Sequence, residues 1–93
     1  MGRRTLSNGN DGPRVWWGEE GLHVDVRGLP CPEPLVTVLR LIDGGIAEEF
    51  LIAHLSQEPL LLYPELAERG WRHSLVATDQ PGHVALLMAR PRA

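Results

Sequence analysis

The chain has 93 residues, is 43% hydrophobic and carries a formal net charge of −3 at pH 7. This length fits one small domain, and the apolar content is ordinary for a globular protein. Its basic residues are all arginines and are fewer than its acidic residues, which argues against direct nucleic-acid binding and against attraction to anionic membrane surfaces. No apolar segment reaches the roughly 20 residues of a membrane-spanning helix.

Residues 1–21 are rich in Gly, Asn, Arg and Pro and show no apolar period. They are predicted to form a flexible N-terminal tail without the apolar region of a signal peptide. Trp16 and Trp17 are the exception, and we expect them to cover an apolar edge of the domain, with docking on a partner as the alternative. A single cysteine, Cys31, indicates a reduced thiol, so the predicted compartment is the cytoplasm.

A domain is predicted over residues 22–93. LHVDVR, residues 22–27, alternates apolar and polar side chains, which is typical of a half-buried strand. EPLVTVLRLID, residues 33–43, has apolar residues at helical spacing and is followed by a Gly-Gly pair that ends the predicted helix. EEFLIAHL, residues 48–55, is almost continuously apolar, which predicts a strand buried on both faces.

The second half of the domain contains one more helix and a hairpin. SQEPLLLYPELAERG predicts a turn over 59–63 and then a helix that starts near Pro64, because proline is tolerated in a first turn. WRHSLVAT and HVALLMAR flank the turn signal DQPG, which predicts an antiparallel hairpin. The fold class is therefore α/β, as an α+β two-layer sandwich ordered β-α-β-α-β-β. Its first two strands are parallel, its mixed sheet has four strands, and both helices lie on one face.

Cys31 lies in RGLPCPEP, where a loop meets the first helix. A helix that starts at Pro32 would place Cys31 at its N-cap, where amide donors and a partial positive charge stabilise a thiolate and raise its nucleophilicity. Pro32 and Pro34 remove two of those amides, so we expect a moderate effect. Glu33 opposes ionisation of the thiol, and Arg27 is the nearest cation that would offset it.

Other cysteine chemistries fit the sequence less well. A Cys-x-x-Cys oxidoreductase needs a second cysteine, and a cysteine hydrolase needs a histidine base. The four histidines show no paired pattern and no metal-ligand spacing, so neither a metal nor a cofactor is predicted; they are His23, His54, His73 and His83. The plain alternative for Cys31 is a small buried hydrophobe. A corner between Gly28, which permits a sharp turn, and two prolines is a poor place for core packing.

VDVRGLPCPEPL, residues 24–35, resembles the sulfur-carrier family of TusA/SirA-like proteins, in which a short strand leads through a Gly-Leu-x-Cys-Pro-x-Pro corner into a helix. The resemblance implies that Cys31 accepts sulfane sulfur as a persulfide from a donor protein, such as a cysteine desulfurase or a rhodanese-like protein. Cys31 then passes the sulfur to a downstream acceptor protein. The residues predicted to shape this corner are Arg27, Gly28, Leu29, Pro32, Glu33 and Pro34.

The second half, SQEPLLLYPELAERGWRH, resembles an uncharacterised branch of the same superfamily, many of whose members lack the cysteine. The expected function is a sulfurtransferase-type carrier rather than a stand-alone turnover enzyme. The alternative is a non-catalytic binding or regulatory module with a structural or redox-sensing cysteine. Arg69 and Arg72 form either a solvated surface or a docking spot for a donor enzyme.

Overall fold

The computed structural model describes residues 13–91. They form a two-layer α+β domain in which two helices pack on one face of a mixed five-stranded sheet. The elements in chain order are β1 (Arg14–Trp17), β2 (Leu22–Asp25), α1 (Glu33–Asp43), β3 (Phe50–Leu55), α2 (Leu62–Glu68), β4 (Arg72–Ala77) and β5 (Val84–Ala89). Across the sheet the order is β1-β2-β3-β5-β4, with β2 and β3 parallel and the other neighbours antiparallel.

The predicted four-stranded sheet is wrong by one strand. β1 arises inside the predicted tail of residues 1–21, where Trp16 pairs with His23 and a turn from Gly18 to Gly21 closes the hairpin. All four residues of β1 are exposed, so the strand has no buried face and leaves no alternation in the sequence. The predicted tail residues 1–12 lie outside the described residues.

The strand–helix–strand unit at the centre follows the predicted pattern. Leu22, Val24 and Val26 are at most 2% exposed, while the residues between them lie on the opposite face of β2. The helix predicted over 33–43 is α1, and β3 occupies the middle of the sheet as expected. One core joins these strands to both helices because the apolar positions of each element face the same layer.

The second helix begins earlier than predicted. α2 starts at Leu62, so Pro64 lies within its first turn rather than at its start. A first-turn residue has no intrahelical partner for its N–H, so proline does not interrupt the helix there. Arg69 follows α2 and links it to α1, because its guanidinium donates to both carboxylate oxygens of Asp43 at 2.8 and 2.9 Å and to Glu65 at 3.0 Å. Arg69 is therefore engaged within the domain.

Candidate functional site

Cys31 is exposed in the loop between β2 and α1. The helix begins at Glu33 with Pro32 as its N-cap, so the prediction that Cys31 caps the helix is wrong by one residue. The difference arises from a tight turn before the helix, in which the Glu33 N–H donates to the Pro30 carbonyl at 2.8 Å. Exposure of the side chain also contradicts the alternative of a small buried hydrophobe.

The charges around the thiol are arranged differently from the sequence prediction. The Arg27 guanidinium donates from Nε and Nη2 to the two carboxylate oxygens of Asp25, at 3.0 and 2.8 Å, and the Arg27 N–H also donates to Asp25 at 3.1 Å. This pairing lowers the pKa of Asp25 to about 2 and raises the pKa of Arg27. Among residues 13–91, Arg27 makes no ion pair with Glu33. Arg27 therefore pairs with Asp25 at the end of β2 and does not offset the negative charge of Glu33.

Gly28 provides the turn that the sequence predicts. Its φ is +86°, in the region that favours glycine, and a Cβ added there would meet no atom within 4 Å. The conformation of the backbone, rather than a shortage of space, thus favours glycine at this position. The next residue, Leu29, donates its N–H to Val26 at 3.3 Å and packs its side chain against the core. The loop is therefore fixed on both sides of its turn before it reaches Cys31.

Cys31 opens on a cavity of about 340 Å³, here called the Cys31 cavity. Its walls come from the loop after β2, from the start of α1 and from residues 55–62 after β3. The carboxyl ends of two neighbouring parallel strands meet here, which is where open sheets place ligands. Leu60 and Leu61 on the rim are 65% and 71% exposed. The cavity therefore combines one thiol with mostly apolar walls and an apolar, solvent-facing rim.

The predicted site residues divide into two groups around this cavity. Gly28, Leu29, Cys31 and Pro34 line it, whereas Arg27, Pro32 and Glu33 do not. Sequence reasoning missed the opposite wall, residues 55–62. The signal for this wall was the run of three leucines before Tyr63, in a segment predicted to be a turn.

A second cluster lies on the sheet face that the helices leave uncovered. His54 Nε2 lies 3.0 Å from His23 Nδ1, His54 Nδ1 lies 3.0 Å from His83 Nε2, and Glu20 accepts from His23 at 3.1 Å. Trp16 stacks on this cluster, with ring centroids 5.2 Å from His23 and 5.4 Å from His54. Trp16 thus covers imidazoles rather than the apolar edge that the sequence predicted.

The histidine cluster was not predicted, although two signals pointed to it. His23 alternates outward on β2, and His54 interrupts the apolar run of β3. Only the pairing of these strands, together with the turn before β5, brings the three imidazoles together. In the described part of the chain, no group of three or more His, Cys, Asp or Glu side chains is arranged to hold a metal ion.

The fold and the site define a two-layer α+β domain that presents a single thiol at the carboxyl edge of its parallel strands. Residues 23–90 match a protein family described as "Uncharacterized conserved protein (DUF2249)", and the chain belongs to this family. The chain matches no curated protein and no solved structure. Within residues 13–91, neither helix has the length and apolar content needed to cross a bilayer.

Proposed function

We propose that this protein is a sulfur carrier, which accepts sulfane sulfur on Cys31 as a persulfide and passes it to a partner protein. The observation that carries the proposal is the exposed Cys31 thiol beside an apolar cavity at the carboxyl ends of β2 and β3. The resemblance of residues 24–35 to TusA/SirA-like carriers supplies the class of chemistry. Membership of the family supplies no activity.

Loading is a thiol exchange that needs no external oxidant. The Cys31 thiolate attacks the outer sulfur of a donor persulfide, R–S–SH. The bond between Cys31 Sγ and that sulfur forms, the S–S bond of the donor breaks, and the donor leaves as R–S⁻. Delivery is the same step in reverse order: an acceptor thiolate takes the outer sulfur, and Cys31 leaves as a thiolate. Electrons and atoms balance in each direction, and the outer sulfur stays in the same oxidation state.

The surrounding residues favour this exchange in three ways. Cys31 lies two residues before an eleven-residue helix, whose N-terminal partial positive charge favours an anionic sulfur. The Gly28 turn and the paired Arg27 hold the loop, so the thiol does not have to be ordered when a partner binds. The apolar walls of the Cys31 cavity give a partner an apolar surface to contact beside the persulfide.

The proposed partners are proteins at both ends of the relay. The donor is a cysteine desulfurase or a rhodanese-like protein, and the acceptor is a protein with its own thiolate. Leu60 and Leu61 provide an exposed apolar surface beside Cys31, of the kind that contacts another protein. We place the exchange in the cytoplasm, where a lone cysteine stays reduced. Direct contact with nucleic acid or with a membrane is not part of the proposal.

Intact-mass spectrometry tests the proposal. The reduced protein is incubated with a cysteine desulfurase and cysteine, or with a rhodanese and thiosulfate, and we expect a mass gain of one sulfur atom that dithiothreitol removes. The Cys31→Ser variant should gain nothing. Because Cys31 is the only cysteine, the double variant Cys31→Ser/Ser74→Cys moves the thiol to an exposed site on β4. Equal loading of the moved thiol, or no loading of the natural protein by either donor, would overturn the proposal.

The same protein samples distinguish a sulfur carrier from the alternative, a regulatory module with a redox-sensing cysteine. Exposure of Cys31 does not fit a structural thiol, but it fits a redox sensor. Oxidation of Cys31 to a sulfenic acid by dilute peroxide is therefore measured beside persulfide loading. Oxidation that is faster than loading by either protein donor would favour the sensor and reject the carrier.

A further inference from the structure

The histidine cluster forms a continuous hydrogen-bonded chain on the open face of the sheet. We define the histidine chain as Glu20, His23, His54 and His83, joined at 3.1, 3.0 and 3.0 Å. Three different parts of the fold contribute to it: the β1–β2 turn with β2, the central strand β3, and the turn before β5. Its outer end is a carboxylate in solvent, and its inner end is His83 Nδ1, which is buried without a hydrogen-bond partner among the described residues.

The carboxylate at one end determines the direction of every bond in the chain. Glu20 only accepts, so His23 donates from Nε2, and the Nδ1 of a neutral His23 is then an acceptor. His54 must donate to it from Nε2, which leaves His54 Nδ1 to accept from His83 Nε2. All three histidines are therefore Nε2–H tautomers, and His83 Nδ1 keeps an unused lone pair.

Without any movement of its heavy atoms, the histidine chain can accept one extra proton and keep all its hydrogen bonds, but it cannot accept two. A proton on His83 Nδ1 allows the Nε2 proton of His83 to move to His54 Nδ1, and the Nε2 proton of His54 to move to His23 Nδ1. Both imidazole–imidazole bonds are kept, and the positive charge rests on His23, beside Glu20. A second proton would place two N–H donors face to face, so one of the two bonds would have to break.

We propose that the histidine chain is a one-proton switch that controls the attachment of the β1 edge strand. The first proton strengthens the edge, because the imidazolium of His23 pairs with Glu20 and lies against the ring of Trp16, 5.2 Å between centroids. The second proton opens the chain and adds repulsion between neighbouring imidazoles. Loss of β1 then exposes the edge of β2 for pairing with another strand.

The surroundings of the chain support a limit of one proton. Burial, followed by positive charge on His23 and on His83, lowers the pKa of His54. Asp25, opposite His54 on β2, acts against this lowering, but it is paired with Arg27.

The remaining neighbours of His54 add little to the charges that act on its imidazole. On the other side of His54, β5 and β4 present uncharged Ala85 and Val76, and Asp79 is exposed in the turn before His83. From β1, the guanidinium of Arg14 lies 5.8 Å from the Trp16 ring centroid and shares that ring with His23.

Nitrogen-15 NMR of the full chain tests the switch, because it distinguishes the two ring nitrogens of each histidine. Above the titration we expect Nε2–H tautomers at all three positions. On acidification the chain should take up one proton, and a second should bind at least about tenfold more weakly, as for strongly coupled sites. The protection factors of amides in the β1–β2 ladder, which remove the intrinsic pH dependence of amide exchange, should rise with the first proton and fall with the second.

Variants separate this coupling from ordinary histidine titration. His54→Ala removes the middle of the chain, so the coupled uptake of a single proton and the two-stage change in amide protection should both disappear. His83→Ala shortens the chain at the turn and serves if the first variant does not fold. His73 lies outside the histidine chain and stacks on Tyr63. His73→Gln should therefore leave proton uptake by the histidine chain and amide protection of the β1–β2 ladder unchanged. Independent protonation of the three histidines in the natural protein would overturn the proposal, as would a mixture of tautomers at a pH where all three are neutral. The proposal does not depend on the function of Cys31.

Discussion

The ion pair between Asp25 and Arg27 yields a prediction about stability and pH. Removing the charge with Asp25→Asn should destabilise the domain at neutral pH. A folded-state pKa of about 2, against 3.8 for an unpaired aspartate, corresponds to about 2.4 kcal/mol. Asp25 is only 13% exposed but Arg27 is 38% exposed, so solvent screens the pair, and we expect a loss of about 1 kcal/mol.

The sign of the pH dependence follows from the direction of the shift. Because folding lowers the pKa of Asp25, its stabilisation is present above about pH 4 and is lost as the pH falls through about 2. Urea unfolding, followed by tryptophan fluorescence at neutral pH and near pH 2, measures both ends of this range. The difference between the natural protein and Asp25→Asn should therefore be largest at neutral pH and vanish in acid.

A matched control shows whether the pair itself is responsible. Asp79 is exposed and makes no salt bridge in the described part of the chain, so Asp79→Asn should leave the free energy of unfolding nearly unchanged at every pH. The reasoning would be refuted if Asp25→Asn cost nothing at neutral pH, or if its cost persisted undiminished near pH 2. The second result would mean that packing or backbone hydrogen bonding, rather than charge, makes Asp25 stabilising.

Two further predictions concern the loop and the rim of the Cys31 cavity. Gly28→Ala and Gly45→Ala both place a side chain at positive φ with no steric obstacle, so urea unfolding should show a similar loss of about 1 kcal/mol for each. Only Gly28→Ala should also slow persulfide loading of Cys31, and equal slowing by both would contradict a local role for the turn. Leu61→Asp should slow loading by a protein donor by about tenfold or more, while loading by inorganic polysulfide stays unchanged. Val76→Asp, at an exposed residue of β4, is the control, and a loss of polysulfide loading in Leu61→Asp would point to damage of the cavity instead.

Prediction from the sequence succeeded where a segment buries one face, and it succeeded for the fully exposed β4 because the turn signal DQPG joins that strand to β5. β2 shows its period of two because Leu22, Val24 and Val26 enter the core, and α1 was predicted to within one residue because its apolar side chains recur at helical spacing. β1 has no buried face, so nothing in its pattern distinguished it from a tail. Boundaries set by turns were also missed: α2 begins two residues before Pro64.

The candidate site was predicted in part for a similar reason. The position of Cys31 between a strand and a helix is local information, and the motif around it identified the loop. The expectation that Arg27 offsets the charge of Glu33 was wrong, because the sequence cannot show that the Arg27 guanidinium turns back to Asp25 two residues earlier. The opposite wall of the Cys31 cavity comes from the segment after β3, and its contact with the loop depends on the parallel pairing of β2 with β3.

The sequence by itself determined two helices and four of the five strands, through the spacing of apolar residues and, for the hairpin of β4 and β5, through the DQPG turn. It also placed the only thiol at the corner before α1. Tertiary structure alone decided which distant side chains meet. The histidine chain joins residues that are 31 and 29 positions apart, and the Cys31 cavity joins two loops across neighbouring strands. The physical reason is that periodicity records which face of a segment is buried, whereas the register between strands decides what that face, or its opposite, will touch.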